Sequence, residues 1–262
     1  MKSSTLLRRE VRLNLGQSAG SHYASSGYGG RPAMERLGCA LTLAVGVRAV
    51  PSAADGYVVS ISKVDAAVRE RLVPILEAAF GGPAERPLIH HLPQRLLLAL
   101  DGALPHPVES LELAPLSTMR LLAEKTMPQS ILLSASFEFA ASHRLHSPSL
   151  SEAENRAQYG RCNNACGHGH NYRIEVTVEH ATDGPSRLPD LERAVQASVI
   201  SRFDHQNLDA LPEFAGKVTS VENIAGTAFG MLASALGTAG IRLRRLTIWE
   251  TDRTSATVEA AD

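Results

Sequence analysis

Residues 167–178 read Gly167-His168-Gly169-His170-Asn171-Tyr172-Arg173-Ile174-Glu175-Val176-Thr177-Val178. Tyr172, Ile174, Val176 and Val178 alternate with Arg173, Glu175 and Thr177, the period of a half-buried β-strand. Side chains two apart on a strand share a face, so His168 and His170 point the same way. Gly169 adds no bulk between them. The stretch therefore predicts a strand whose first residues aim two imidazoles at one point.

The neighbouring sequence extends this strand into a unit. Upstream, Phe137 and Phe139 alternate with Glu138 and Ala140 in a first strand, and a polar loop follows from Arg144 to Gly169. Downstream, Asp183-Gly184-Pro185 makes a turn. Leu191, Ala194, Val195, Ser198 and Val199 lie at helical spacing, and Asp204 to Leu211 is irregular. Val221 to Leu236 reads as a second helix with Ser220 at its polar start. Leu246 to Glu250 and Ala256 to Val258 close the unit as paired strands. The order is ββααββ.

The first half repeats that order. Val11, Leu13 and Leu15 alternate, then a Gly-, Ser- and Tyr-rich loop runs from Gln17 to Arg31. Leu41 to Arg48 is a second strand, Pro51 to Gly56 a turn, and Tyr57 to Ile61 a returning strand piece. Val64 to Ala79 has helical spacing and stops at Gly81-Gly82-Pro83. Leu92 to Leu104 forms a second helix before Pro105. Strands follow at Leu111-Leu113 and Met119-Leu121. Val11 corresponds to Phe137, Gly38 to Gly169, Val64 to Leu191 and Leu111 to Leu246, with the drift falling in loops. The reading is a tandem of α+β units, residues 1–128 and 129–262, although two unrelated α+β domains would show the same order.

Composition bounds the function. Lys and Arg total 26 against 27 Asp and Glu, a net charge of −1, and basic blocks are absent. That excludes a surface built for nucleic acid or anionic membrane. The apolar share of 44% against 20% charged is that of a globular chain. Three cysteines, Cys39, Cys162 and Cys166, cannot build a disulfide framework and suit a reducing compartment. The best apolar run, around Leu96 to Leu104, is cut by Asp101, and the N-terminus has no signal-like apolar region. A cytoplasmic location is expected.

The residues able to do chemistry cluster in the second half. His143 ends the first strand of that half and supplies a third imidazole to His168 and His170. Three histidines with an open fourth position form the catalytic zinc arrangement. Cys162, beside Arg161, is a base or nucleophile, a fourth ligand, or an ordinary exposed thiol, and Cys166 offers the same choice. Asp204-His205 pairs an acid with an imidazole, as a proton relay or a solvated pair does. Glu250, at a strand end, has the chemistry to accept two hydrogen bonds from a heterocycle edge, or is a surface acid.

Taken together, Phe137-Glu138-Phe139-Ala140-Ala141-Ser142-His143-Arg144-Leu145, Tyr159-Gly160-Arg161-Cys162-Asn163-Asn164 and Gly167-His168-Gly169-His170-Asn171-Tyr172 resemble the 6-pyruvoyl-tetrahydropterin synthase family. Asp204-His205-Gln206-Asn207-Leu208-Asp209, Thr219-Ser220-Val221-Glu222-Asn223 and Trp249-Glu250-Thr251 follow in that family's order. The family also holds the 6-carboxytetrahydropterin synthases of queuosine biosynthesis. The resemblance covers roughly residues 131–259. It implies the tunnelling fold, in which antiparallel sheets of ββααββ units assemble into a barrel. It implies Zn2+ on His143, His168 and His170, Cys162 as base with Asp204 and His205 as its relay, and Glu250 anchoring the pterin with Thr219 or Ser220 nearby. The implied substrate is 7,8-dihydroneopterin triphosphate, a small molecule, and the implied state is a homo-oligomer, a trimer or a multiple of it.

Within that family the spacing Cys-Asn-Asn-x-x-Gly-His-Gly-His, as in residues 162–170, leans to the branch that loses triphosphate and gives 6-pyruvoyl-tetrahydropterin. The other branch releases acetaldehyde and leaves a carboxylated pterin. The first half departs from the pattern: Leu37 and Cys39 fall where His168 and His170 stand, and Glu250 falls near Pro115. It reads as a degenerate copy without metal ligands, and His22, His90 and His91 receive no role. Two non-enzyme readings stand beside the lyase: a pterin- or purine-binding scaffold, and a structural zinc protein closed by a cysteine.

Overall fold

The computed structural model describes residues 3–16, 32, 38–81 and 87–261. The loop from Gln17 to Arg31, with His22, and the aligned position Leu37 lie outside the described residues. The chain divides into two compact units, one of Met1–Leu133 with His180–Ser186 and one of Ser134–Glu179 with Arg187–Asp262. Each is a mixed α/β body built on antiparallel strand pairs.

In the first unit the strands are β1 (Thr5–Leu15), β2 (Cys39–Ala49), β3 (Val108–Leu116) and β4 (Met119–Glu124), paired in that order. The register sets Leu13 opposite Leu41, Leu43 opposite Leu113, and Leu113 opposite Leu121. These leucines share the buried face, as period-two alternation requires. Against that face pack α1 (Ile61–Ala67), a π-helical turn (Val68–Leu72), α2 (Val73–Gly81), a 3₁₀ turn (Ile89–His91) and α3 (Leu92–Ala99), through Val64, Val68, Leu72 and Leu96.

One expected element is absent. Tyr57 to Ile61 is not a strand: Val58 and Val59 are both buried in a bend, and Ser60 starts α1 with Ile61 exposed. Three alternating apolar residues are too few to fix a strand against a helix start. The helix placed at Leu92–Leu104 ends earlier, at Ala99, before Gly102 takes a φ of 68°.

The second unit orders β5 (Ser130–His143), β6 (His168–Ala181), β8 (Arg242–Thr251) and β9 (Thr254–Glu259), and the short β7 (Gln206–Asn207) pairs parallel to β5. Ile174 faces Ile248, which faces Ala256. The helical layer is α5 (Leu188–Val195), a π-helical turn (Gln196–Ile200), α6 (Ser201–Phe203) and α7 (Val221–Thr238). In α7, Val221, Ile224, Ala225, Ala228, Leu232 and Leu236 form one apolar stripe and are buried.

A helix absent from the sequence reading, α4 (Glu152–Tyr159), interrupts the polar loop before β6. Its start is a capping box: the Ser151 hydroxyl accepts from the Glu154 N–H, and the Glu154 carboxylate accepts from the Ser151 N–H at 2.8 Å.

Candidate metal centre

His143 closes β5 and is wholly buried. Its Nδ1 lies 2.7 Å from the Thr219 carbonyl oxygen, which accepts the ring proton and leaves the Nε2 lone pair facing the site. His168 and His170 open β6 on one face, as their spacing predicts. Gly167 makes the approach possible. Its φ is +71°, and a Cβ there would stand 3.0 Å from the His143 carbonyl oxygen.

The three imidazoles converge. His143 Nε2 lies 3.2 Å from His168 Nε2, and the ligand atoms of all three residues fall within 4.8 Å of one another. A tetrahedral zinc with bonds of about 2.0–2.1 Å places its ligand nitrogens about 3.3 Å apart. His168 Nδ1 and His170 Nε2 are buried without a hydrogen-bond partner. Such atoms cost about 1–3 kcal/mol each when left unpaired, so the cluster is shaped for a group that it does not itself supply. Burial, then the charges of its two neighbours, lowers the His168 pKa. Burial also lowers that of His170, against the opposing pull of Glu250. Neutral imidazoles are the form that binds metal.

Glu250, near the end of β8, brings Oε1 to 3.3 Å from His143 Nε2 and 3.6 Å from His170 Nε2. Beneath the site Tyr172 stacks on Phe139 at a centroid distance of 4.9 Å. Burial pushes the Tyr172 phenol far up, so it stays protonated.

The two cysteines lie apart from the donor cluster, which among the described residues comprises the three histidines alone. Cys162 sits in the 3₁₀ turn Gly160–Asn163, and its carbonyl accepts from Leu145 N–H at 2.9 Å, which ties that turn to the segment after His143. Cys166 is exposed. Asp204 and His205 do pair, with His205 Nδ1 2.8 Å from Asp204 Oδ2. β5 holds both of them: Asp204 Oδ1 accepts from Ala140 N–H at 2.9 Å, and His205 N–H donates to the Ala140 carbonyl at 2.6 Å. These bonds lower the Asp204 pKa. His205 carries a φ of 56°, which side chains rarely adopt and which functional sites often hold. His205 lines a cavity of about 490 Å³ with Ser142, Gly169, His170 and Asn171. Among the described residues no hydrogen bond joins this pair to Cys162. Thr219 is wholly buried, and Ser220 caps α7 by accepting from Asn223 N–H.

A second cavity, of about 420 Å³, is bounded by Arg144, His146, Cys166, Gly167, Asp209 and Lys217. Sequence reading gave no role to Arg144, Asp209 or Lys217. Asp209 stood in a motif already noted, but its bonds run to residues 65 and 10 positions away.

Three neutral imidazoles converging beside a half-buried carboxylate define a candidate histidine metal centre of the open, catalytic kind. Comparison with known proteins narrows the class. Residues 132–261 match the family model described as 6-pyruvoyl tetrahydropterin synthase. The human 6-pyruvoyl tetrahydrobiopterin synthase is 39% identical over 125 residues, which are 46% of this chain and 85% of the human one. That of Poecilia reticulata is 44% identical over 103 residues, 37% of this chain and 70% of the relative. The structure of the Caenorhabditis elegans 6-pyruvoyl tetrahydropterin synthase matches 50% of this chain and 96% of its own, with 34% identity and a TM-score of 0.47. The chain belongs to the 6-pyruvoyl tetrahydropterin synthase family, and the matched residues lie in its second half. Among the described residues no helix is long and apolar enough to cross a membrane.

Proposed function

We propose that the chain is a zinc-dependent pterin synthase, a lyase that converts 7,8-dihydroneopterin triphosphate to 6-pyruvoyl-tetrahydropterin with loss of triphosphate. The observation that carries this reading is the convergence of His143, His168 and His170 within one 4.8 Å group beside Glu250. Zinc on these ligands supplies Lewis-acid polarisation of the substrate's side-chain oxygens, which acidifies the adjacent C–H. Cys162 takes that proton, and triphosphate departs with the electron pair of its C–O bond. Asp204 holds His205 in orientation to pass the proton on. Glu250 accepts the pterin's ring and amino N–H groups in a bidentate pair, with Thr219 and Ser220 beside it. Arg144 and Lys217 bring positive charge to the second cavity, which suits a polyphosphate tail.

The chain's own geometry supports an oligomer. Asp204-His205 is not bonded to Cys162 within one copy, so a second copy would complete the relay; a trimer or a multiple of it, closing sheets into a barrel, is the proposed state. The tandem reading has support of its own. π-helical turns are rare, yet one interrupts the first helix of each unit, at Val68–Leu72 and Gln196–Ile200. At the ends of β1 and β2 in the first unit, Leu15, Cys39 and Leu41 line an apolar cavity with Leu113 and Pro115. That is the lining expected of a degenerate copy that binds no metal.

The test is incubation of the zinc-loaded chain with 7,8-dihydroneopterin triphosphate and identification of the product by mass. The pyruvoyl product supports the assignment. A carboxylated pterin with acetaldehyde moves the chain to the queuosine branch. Binding without turnover leaves a scaffold.

A further inference from the structure

We propose that Asp209 is a positioning residue for the metal centre, acting on His143 through Thr219 and through the backbone of Arg144. The inference rests on His143, His168 and His170 being metal ligands. Asp209 lies in the 3₁₀ turn Leu208–Ala210, and its N–H donates to the Asn207 side chain at 3.1 Å. Its Oδ1 accepts from the Thr219 hydroxyl at 2.6 Å, and its Oδ2 accepts from the Arg144 N–H at 2.6 Å. Thr219 in turn offers its carbonyl to His143 Nδ1 at 2.7 Å. One carboxylate thus grips both the residue after the ligand and the residue that orients the ligand's ring.

The chemistry calls for a carboxylate. Both partners are donors, and Asp209 presents an acceptor to each. Asparagine would keep one oxygen and turn an NH₂ group toward the other donor. Asp209 is exposed while Thr219 is buried, so the link reaches from solvent to the ring of His143. Partners one shell out from a metal ligand set its orientation and basicity, and their loss typically weakens metal binding about 10–100-fold. A role confined to tying the loop to β5 would instead lower stability equally with and without metal.

The experiment uses the full chain with Asp209→Asn, with Thr219→Val, and with both. Zinc affinity is read by competition with a chromogenic chelator, and melting temperature is read with and without zinc. Each single variant is expected to bind zinc about 10–100-fold more weakly. The double variant should bind no more weakly than the worse single, because both cut one link. Zinc affinity within twofold of the parent in Asp209→Asn would overturn the proposal, as would additive losses in the double variant. If Thr219→Val fails to fold, the exposed position 209 still decides. A parent chain that takes up no zinc overturns the metal centre itself, an outcome distinct from a parent that binds and an Asp209→Asn variant that binds equally.

Discussion

Gly167→Ala is a small change with a large expected effect. At φ +71° any residue with a Cβ pays about 1–2 kcal/mol for the left-handed conformation. The new Cβ would also stand 3.0 Å from the His143 carbonyl oxygen, and backbone must yield by a few tenths of an ångström. That movement falls on the residue next to His168 and on His143 itself. A loss of about 2 kcal/mol in a domain of this size lowers Tm by roughly 4–12 °C. Gly226→Ala is the control. Gly226 lies inside α7 with nothing within 4 Å of its Cβ position, so alanine should stabilise by about 0.5–1 kcal/mol through helix propensity. Thermal melts of the two variants with and without zinc read both effects, and the Gly167 variant should also lose part of the Tm rise that zinc gives the parent. If the two glycines respond alike, or Gly167→Ala keeps the full zinc response, the argument from close approach is wrong.

Cys162→Ala should abolish turnover while the protein still binds one zinc; loss of zinc in that variant, by elemental analysis, would make Cys162 a ligand instead of the base. Ser151→Ala removes one arm of the capping box and should cost about 1 kcal/mol, read as a shifted urea midpoint at constant slope. His90, buried in the first unit against His180 with its Nε2 3.1 Å from the Gly184 carbonyl, has a pKa lowered first by burial and then by the His180 charge. The folded state therefore holds fewer protons than the unfolded chain as pH falls below the ordinary histidine value of about 6.5, and stability should decline there. A denaturation series from neutral to acid pH should show a shallower decline in His90→Gln, and an unchanged slope would refute the assignment.

Much of this was legible from local pattern. Alternation in Tyr172 to Val178 and the His-x-His pair located β6 and two of the three imidazoles, because strand period and side-chain direction are local properties. The third, His143, followed from its place at the end of a paired strand. α4 was hidden because a short, polar helix carries no apolar stripe, although Ser151 and Glu154 stand at capping-box spacing. The alternation of Tyr57, Val59 and Ile61 misled because Ser60 caps a helix and burial of Val58 with Val59 in a bend overrides a three-residue pattern. The Asp209–Thr219–His143 link was unreadable in principle: it joins residues that only the tertiary fold brings together.

The account places one three-histidine metal centre in the second unit and only apolar lining at the matching place in the first. The most direct test is the zinc content of the purified 262-residue chain, measured by elemental analysis after equilibration with excess metal and removal of loosely bound ions. One zinc per chain, lost in His143→Ala and in His168→Ala, is the predicted result. Two zincs per chain, none, or one that survives both substitutions would contradict it.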